Sequence, residues 1–370
     1  MRVLASFSMA LCACLAPGQV LQDDTAPVGP GLELRRELDG WVGGGSISFT
    51  LTAGPETAPQ LPSVVVGVVS PRFRGVMAAS APGRAPLDGS TVLPLSSITK
   101  IFTGLLAAQD VAEGRFSAST PLSTLLASDL GPLAGDRTVL EAVTHSAGYS
   151  ANPRNLAFAT NPASPAAGYS REQLATCLAA AGCSLGPSRG QYLYSNTSVG
   201  LLGIALADHH QTSFEALVSS RITRPLGMRD TGLSNTSAST RWADGLTPEG
   251  AVVKPATMGV LAPSGALVST ADDMLLFLDA LLRPPPELAP GVRLATAPAW
   301  PNARIGWAID RLSLHGIELA AKSGEQAGYS SMLMWNSDRG VGVVALAPVG
   351  ASSKTLAALC LDLLERTLEP

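Results

Sequence analysis

Ser97 and Lys100 form a Ser-x-x-Lys pair at the start of a predicted apolar helix over residues 98–113, which Gly114 ends. A spacing of three places both side chains on one helix face, so a neutral Lys100 amine could accept the Ser97 proton, and the helix N-terminus favours developing negative charge. Because the helix is apolar on nearly every side, we expect Lys100 to be buried and its pKa to be lowered. The pair predicts nucleophilic attack by Ser97; the alternative is an exposed lysine beside a helix cap.

Two later segments carry polar residues that could complete such a site. Tyr194-Ser195-Asn196 stands just before a predicted helix over residues 197–209, where the alternative reading is a hydrophobic staple and an N-cap. Lys322-Ser323-Gly324 follows a predicted strand over residues 317–321. A cation there, beside a glycine that lets another chain approach, would suit the binding of an anionic substrate group; the alternative is a turn that ends the strand.

The predicted elements that position these residues are strands at both ends of the chain and helices between them. Strands rich in β-branched residues are predicted at 47–51, 63–69, 317–321, 331–335 and 342–347. Helices are predicted at 98–113, 138–145, 171–181, 197–209 and 271–282, and an amphipathic one carries Leu356, Leu359, Cys360, Leu363 and Leu364. Clusters of Pro, Gly and Ser at 148–170 and 283–302 predict loops.

The order of these elements indicates the fold class. We expect an α/β fold of the α+β type, in which an antiparallel sheet formed by both termini is flanked by helices and a mostly helical domain is inserted. The domain spans residues 61–366, with a sheet part at about 45–120 and 250–370 and a helical part at about 121–249.

The composition excludes one class of partner. The chain has 370 residues, 46% of them hydrophobic and 15% charged, which is typical of a globular protein with a large core. A formal charge of −4 without a basic cluster excludes nucleic acid as a partner.

The N-terminus resembles a targeting segment. Met1-Arg2 and the apolar residues 3–16 predict a signal peptide over residues 1–17, followed by a linker with a first helix or strand over residues 18–60. The run Leu11-Cys12-Ala13-Cys14 resembles an imperfect lipoprotein box, so a lipid anchor at Cys14 is an alternative, and a buried N-terminal helix is another. No later segment is apolar for long enough to span a membrane. We therefore expect an exported protein, periplasmic or secreted.

Cys177 and Cys183 lie six positions apart with Gly182 between them. In an oxidising compartment they could form a disulfide, and a pair of reduced core cysteines explains the spacing equally well. No cysteine or histidine spacing indicates a metal site.

Taken together, the three motifs resemble those of the serine β-lactamase and penicillin-binding protein family, and most closely its class C β-lactamase and D-alanyl-D-alanine carboxypeptidase group. The order Ser97/Lys100, Tyr194/Asn196, Lys322/Gly324 carries the resemblance, which covers about residues 60–366. Three surrounding segments agree with it: 140–148 (LEAVTHSAG), 225–231 (PLGMRDT) and 263–273 (PSGALVSTADD).

The resemblance implies a role for each motif residue. Ser97 would be the acylated nucleophile, Lys100 the base that activates it, and Tyr194 the group that passes a proton to the leaving group and later takes one from water. Asn196 would donate to the acyl amide of the substrate. The substrate carboxylate would be held by Lys322 and Ser323, beside Gly324, and the backbone N–H groups of Ser97 and Glu325 would form the oxyanion hole.

Two residues depart from the family pattern. Ser323 stands where threonine is commoner, which keeps the hydroxyl. Glu325 stands where true β-lactamases usually carry a small residue. An acidic side chain there would repel an anionic substrate and so counts against efficient β-lactam hydrolysis.

The resemblance implies an exported serine hydrolase that forms an acyl-enzyme, most simply a D-Ala-D-Ala carboxypeptidase acting on cell-wall amides. Three alternatives use the same scaffold: a class C-like β-lactamase, a carboxylesterase, and a non-catalytic penicillin-binding sensor or scaffold. The substrate would be a small peptide or a β-lactam-like molecule, and the mechanism needs no cofactor and no metal.

Several other patterns are better explained without chemistry. Gly186 to Gly190 matches GxSxG but lies in a polar loop, and His145 has no visible acidic partner that would make it a triad base. The sequon at Asn196 would place a glycan inside the proposed site, so we set it aside with the sequon at Asn235.

Overall fold

The computed structural model of this chain describes residues 48–49, 56–57, 61–180, 183, 188–237, 239–299, 305–314 and 316–368. The predicted signal peptide, the Cys14 anchor and nearly all of the linker lie outside the described residues. No helix in the described ranges is long and apolar enough to cross a membrane.

The centre of the fold is one antiparallel sheet. Within the described residues it has six strands in the order β10-β11-β12-β13-β3-β4. These strands are β3 (Ser63–Val69), β4 (Arg74–Ser80), β10 (Asp310–Leu314), β11 (Ile317–Gln326), β12 (Tyr329–Asn336) and β13 (Val341–Ala347). Strand β13 pairs with β3, with Val343 opposite Val68. The two ends of the domain therefore share one sheet. This confirms the predicted fold class.

Short strands pair outside this sheet. In the described ranges β1 (Ser48–Phe49) pairs with β2 (Glu56–Thr57), and β7 (Gly245–Leu246) pairs with β8 (Val252–Val253). A third group joins β5 (Leu93–Pro94) and β6 (Gly232–Leu233) to β9 (Leu267–Ser269). This last group leads the chain directly into the segment that holds Ser97.

Helices cover both faces of the sheet. They are α1 (Thr99–Ala112), α2 (Gly131–Ala134), α3 (Val139–Val143), α4 (Arg171–Ala179), α5 (Asn196–His209), α6 (Phe214–Val218), α7 (Arg224–Leu226), α8 (Ala271–Leu282), α9 (Ala289–Thr296) and α10 (Ser353–Leu368). The amphipathic α10 packs against β11, β12 and β13 on one face, and α8 packs against β3 and β13 on the other. The site residues therefore lie on the α8 side, where the inserted helices collect.

Helix α1 passes through the middle of the larger core. The ring of Phe102 stacks on Phe277 of α8 with centroids 4.2 Å apart, and both rings are fully buried. Helix α1 is buried on nearly every side, and its buried residues include Lys100. The stack fixes α1 to α8 and, through α8, to the sheet.

One predicted loop is wrong. Residues 283–302 contain α9, which begins at Ala289 and has Pro290 in its first turn, where a proline loses no helical hydrogen bond. A Cβ on Gly291 would lie 2.5 Å from Gln109 Cγ, so this glycine lets α9 lie directly against α1. The other predicted loop, residues 148–170, is irregular as expected.

Most of the predicted bounds are close. Strand β3 and helix α8 have the predicted residues, whereas β11 runs five residues beyond its predicted end at Ala321, to Gln326. Strands β4 and β10 were not predicted, because they lack β-branched runs and gain their conformation from pairing with β3 and β11.

The structure joins Cys177 in α4 and Cys183 by a disulfide, with their Cα atoms 5.3 Å apart. Cys360 is a free, buried thiol in α10.

We expect Phe277→Ala to lower the free energy of unfolding by about 3–5 kcal/mol, because it removes a buried ring and leaves a cavity against Phe102. Phe158 is 50% exposed, so Phe158→Ala should change the same quantity by less than about 0.5 kcal/mol. Urea titration measures both, and equal losses in the two variants would contradict the central position of the stack.

Candidate active site

Ser97 lies in a turn of 3₁₀-helix, Ser96–Ile98, between β5 and α1. Ser96 has a φ of 48°, in the left-handed region that non-glycine residues seldom adopt. The turn is held by two backbone bonds: Leu95 N–H donates to Leu267 O, and Ile98 N–H donates to Leu95 O. The strained turn is thus tied to β9 on one side and leads directly into α1.

Two side chains meet at the Ser97 hydroxyl. Tyr194 Oη lies 2.6 Å from Ser97 Oγ, and Lys100 Nζ lies 2.9 Å from the same oxygen. The Lys100 ammonium is also 4.9 Å from the centroid of the Tyr194 ring. Ser97 and Lys100 share one face, as the spacing predicted, and Tyr194 approaches from a segment 97 residues away in the chain.

Lys100 is fully buried and its nitrogen has three oxygen neighbours. Besides Ser97 Oγ, it donates to Asn196 Oδ1 and to the Ser264 carbonyl, each at 2.6 Å. Burial is the largest influence on its pKa and lowers it, and Tyr194 opposes the shift only in part. A lowered pKa makes the neutral amine accessible, which a base next to Ser97 requires.

Tyr194 also has a shifted pKa. Burial raises it, but the positive charges of Lys100 and Lys322 and the hydrogen bonds with Lys100 and Ser97 together outweigh burial, so the pKa of the phenol lies below its ordinary value. Lys322 Nζ is 5.2 Å from the centroid of the Tyr194 ring. The two lysines therefore favour the phenolate, and Tyr194 can both accept and return a proton.

His145 and Ser195 hold the Tyr194 segment in place. Ser195, rather than Asn196, caps α5, since its Oγ accepts from Ser198 N–H. The backbone N–H of Ser195 donates to His145 Nδ1 at 3.1 Å, and the His145 ring lies 4.7 Å from the Tyr194 ring. Burial lowers the pKa of His145 well below its ordinary value, so it acts here as a neutral acceptor.

Asn196 bridges Lys100 to a loop that precedes it. Its Oδ1 accepts from Lys100, and its Nδ2 donates to Asn152 Oδ1 at 2.8 Å. Asn196 N–H donates to Ala151 O, so the backbone of the same loop also contacts α5. The Asn196 side-chain amide has a second N–H, and its contacts with Lys100 and Asn152 fix the direction of this N–H.

Lys322 lies within β11, not at the end of a strand as predicted. Its Nζ donates to Asp310 Oδ2 at 2.8 Å, and the side chain is only 4% exposed. Burial is the largest influence and lowers its pKa, but Asp310, Tyr194 and Tyr192 together outweigh burial and raise it above the ordinary range. Lys322 therefore remains charged, beside a carboxylate that the sequence did not indicate.

Gly324 lets β11 come close to the Ser97 turn. A Cβ at this position would lie 2.3 Å from both Leu95 O and Ser331 Oγ, and 3.0 Å from Ser96 Cβ. Ser331 Oγ in turn donates to Leu95 O at 2.8 Å. Any side chain at Gly324 would push the strand away from the turn.

The strand register separates the motif residues onto two faces. Lys322 pairs with Leu333 on the α8 side, whereas Ser323 pairs with Met332, which packs in the core beneath α10. Glu325 lies on the same face as Ser323, and its carboxylate accepts from Ser353 of α10 at 3.1 Å. The Glu325 side chain thus points away from Ser97, which corrects the expectation that it would repel a substrate.

The other sequence patterns form structural contacts. Arg189, in the GxSxG segment, binds Asp136 and Glu141, while residues 186–187 of that segment lie outside the described residues. His210 Nε2 lies 2.8 Å from Asp110. None of these contacts involves Ser97.

Sequence reasoning missed three contributors to the site: Asn152, the Ser264 carbonyl and Asp310. Ser264 lies in the family-like segment 263–273, which was a signal for it. Asn152 and Asp310 stand in no motif, and only the tertiary structure brings them to Asn196 and Lys322.

Comparison with known proteins places this geometry in a family. Residues 52–364 match the family model described as β-lactamase. A β-lactamase of Escherichia coli (strain K12) is 24% identical over 261 residues, 67% of this chain and 66% of the relative. A β-lactamase of Pseudomonas fluorescens is 24% identical over 207 residues, 56% of this chain and 55% of the relative, so each match spans less than two thirds of these relatives' length.

The fold comparison points the same way. The crystal structure of a class C β-lactamase from Rhodobacter sphaeroides superposes with a TM-score of 0.70 at 22% identity, covering 84% of this chain and 95% of that one. The resemblance carried by the motifs is thereby confirmed. Because the family model spans most of its length, the chain belongs to the β-lactamase family, which includes the serine β-lactamases and penicillin-binding proteins, and it has the fold of the class C enzymes.

Proposed function

We propose that this protein is a serine hydrolase that forms an acyl-enzyme on Ser97 and cleaves small cell-wall amides of the D-alanyl-D-alanine type. The observation that carries the proposal is the meeting of Tyr194 and Lys100 at Ser97 Oγ, at 2.6 and 2.9 Å. Both partners have lowered pKa values, so each is able to act as a base.

Acylation begins when Lys100 takes the Ser97 proton and Oγ attacks the substrate carbonyl. The backbone N–H groups of Ser97 and Glu325 donate to the oxyanion, because the absence of a side chain at Gly324 lets β11 lie close to the nucleophile turn. When the C–N bond breaks, Tyr194 gives its proton to the leaving nitrogen. The products of this half are a Ser97 ester, a phenolate and a protonated Lys100.

Deacylation returns both protons. Tyr194 takes a proton from water, and the resulting hydroxide attacks the ester carbonyl. When the bond to Ser97 Oγ breaks, Lys100 returns its proton to that oxygen, which restores the starting state. Asn196 orients the acyl amide through the N–H that Asn152 does not occupy.

The leading substrate class rests on Lys322. A charged Lys322 on the same sheet face as the nucleophile suits a substrate that carries a carboxylate, whereas the register places Ser323 on the opposite face of the strand, so its expected role in holding that carboxylate is not carried forward. A class C-like β-lactamase would use the same residues and differ in how fast water reaches the acyl-enzyme. A carboxylesterase would keep Ser97 and not need the carboxylate, whereas a penicillin-binding sensor would bind the drug without turnover.

We also propose export, to the periplasm or the medium, with a lipid anchor at Cys14 as the alternative to full cleavage. The signal-like residues 1–17 support export, and so does the Cys177–Cys183 disulfide, since such bonds persist in oxidising compartments.

Ser97→Ala should abolish covalent labelling by a fluorescent penicillin, because the acylated oxygen is lost, and should lower turnover by about a thousandfold or more. Ser188→Ala is the matched control, since Ser188 belongs to the GxSxG segment, and it should label like the wild type. Labelling is followed on gels over minutes to hours. Undiminished label in Ser97→Ala would refute the assignment.

The time course of the label separates the candidate functions. A label that persists supports the peptidase, and one that disappears while the drug is consumed supports the β-lactamase. Absence of a penicillin label, together with Ser97-dependent labelling by a fluorophosphonate, supports the esterase.

Lys322→Gln should move the acidic limb of the pH profile to higher pH. The charge of Lys322 lowers the pKa values of both Tyr194 and Lys100, so its removal raises both, and the bases lose their protons later as pH rises. The measurement is kcat/KM for a neutral p-nitrophenyl ester, with the rate of Ser97→Ala subtracted. Lys254→Gln removes an exposed lysine paired with Asp244 and should leave the limb in place; an unmoved limb in Lys322→Gln would contradict the electrostatic link.

A further inference from the structure

The ion pair between Lys322 and Asp310 is the unexpected feature of the site. Asp310 is the first residue of β10 and pairs with Ala321 of β11, so its carboxylate lies beside the next residue, Lys322. The Lys322 side chain is 4% exposed, while that of Asp310 is 25% exposed. Asp310 is thus the more exposed partner, and it lies between solvent and the buried Lys322 nitrogen.

The strand pairing leaves room for a substrate at this point. Strand β10 covers β11 only from Ile317 to Ala321, and within the described residues no β10 residue pairs with Lys322 or with the rest of β11 to Gln326. The part of β11 that β10 leaves uncovered therefore begins at Lys322, directly after Ala321, which is the partner of Asp310. Any group that approaches Lys322 along this edge meets the Asp310 carboxylate.

Within the part of the chain that the structure describes, the other groups around the Tyr194 ring do little to offset that charge. Lys100 is buried behind Tyr194 with its three oxygen partners, His145 is neutral, and the exposed ring of Tyr192 packs edge-on to His145 with centroids 5.8 Å apart. A substrate carboxylate at Lys322 must therefore share the lysine with Asp310 or displace it. Two carboxylates on one ammonium repel each other, and this costs binding energy.

A neutral substrate avoids this cost. It leaves the Lys322–Asp310 pair intact, and it can lie against the half-exposed ring of Tyr192, which is 53% exposed. Lys322 then serves mainly through its charge on Tyr194, whose ring it faces at 5.2 Å.

We propose that Asp310 is a specificity-determining residue that weakens the binding of carboxylate-bearing substrates and directs the site toward neutral esters and amides. The inference rests on the proposed acyl-enzyme chemistry of Ser97; within that chemistry it favours the carboxylesterase alternative and counts against the carboxylate-bearing D-alanyl-D-alanine substrates. It differs from a purely structural role, in which Asp310 only holds Lys322 in place and its loss lowers the rate on every substrate alike.

The test compares two thiolesters that differ in one group: a chromogenic substrate whose leaving thiol carries a carboxylate, and its methyl ester. In the wild type, kcat/KM should be higher for the methyl ester. In Asp310→Asn, the ratio of kcat/KM for the acid to kcat/KM for the methyl ester should rise by about tenfold or more, whatever the change in the two absolute rates. Asp244→Asn, which breaks the exposed pair with Lys254, should keep the wild-type ratio.

The outcomes separate the two levels of the proposal. A wild type that prefers the acid by tenfold or more, or an Asp310→Asn variant with an unchanged ratio, overturns the role of Asp310. The wild-type preference decides the question even where the variant does not fold. The chemistry of Ser97 is checked separately by labelling the wild type with a fluorophosphonate. A wild type that takes no label and turns over neither thiolester would overturn the proposed function instead.

Discussion

The burial of Lys100 is the constraint on which the rest of the site depends. An amine without exposure to water is costly unless each of its hydrogens has an acceptor, and here the acceptors come from three parts of the chain: the Ser97 turn, α5 and the segment that ends at Ser264. None of these parts can shift without leaving the nitrogen unsatisfied. The same contacts that stabilise the buried amine therefore fix the distances among Ser97, Tyr194 and Asn196.

The second constraint is the close approach of the sheet to the nucleophile turn. Gly324 leaves no room for a Cβ against Leu95 O, and Ser331 donates to the same oxygen from the next strand. The positive φ of Ser96 is maintained because Leu95 is bonded on one side to β9 and on the other to β12. Local strain at the nucleophile is thus balanced by long-range contacts.

Patterns that depend on neighbouring residues in the chain were predictable, and contacts that depend on tertiary structure were not. The β-branched run of β3 and the apolar period of α8 predicted their bounds directly, and the resemblance of the three motifs predicted that Ser97, Lys100, Tyr194 and Lys322 lie together. Helix α9 was missed because the many prolines of residues 283–302 are typical of a loop. Pro290, however, lies in the first turn of the helix, where a proline is tolerated. Asp310 and Asn152 were missed for a different reason, since each contacts a motif residue only through pairing of strands or packing of a loop.

The two buried lysines of the site, Lys100 and Lys322, have pKa values that are shifted in opposite directions. Both face the Tyr194 ring, at 4.9 and 5.2 Å from its centroid, and both are almost completely buried. Lys100 has only uncharged oxygens or a hydroxyl as hydrogen-bond partners, so burial prevails and its pKa falls; Lys322 has a carboxylate, so its pKa rises. The Asp310 carboxylate therefore contributes to the difference between the two lysines, and the opposite directions of their pKa shifts support the proposal that Lys100 is the base.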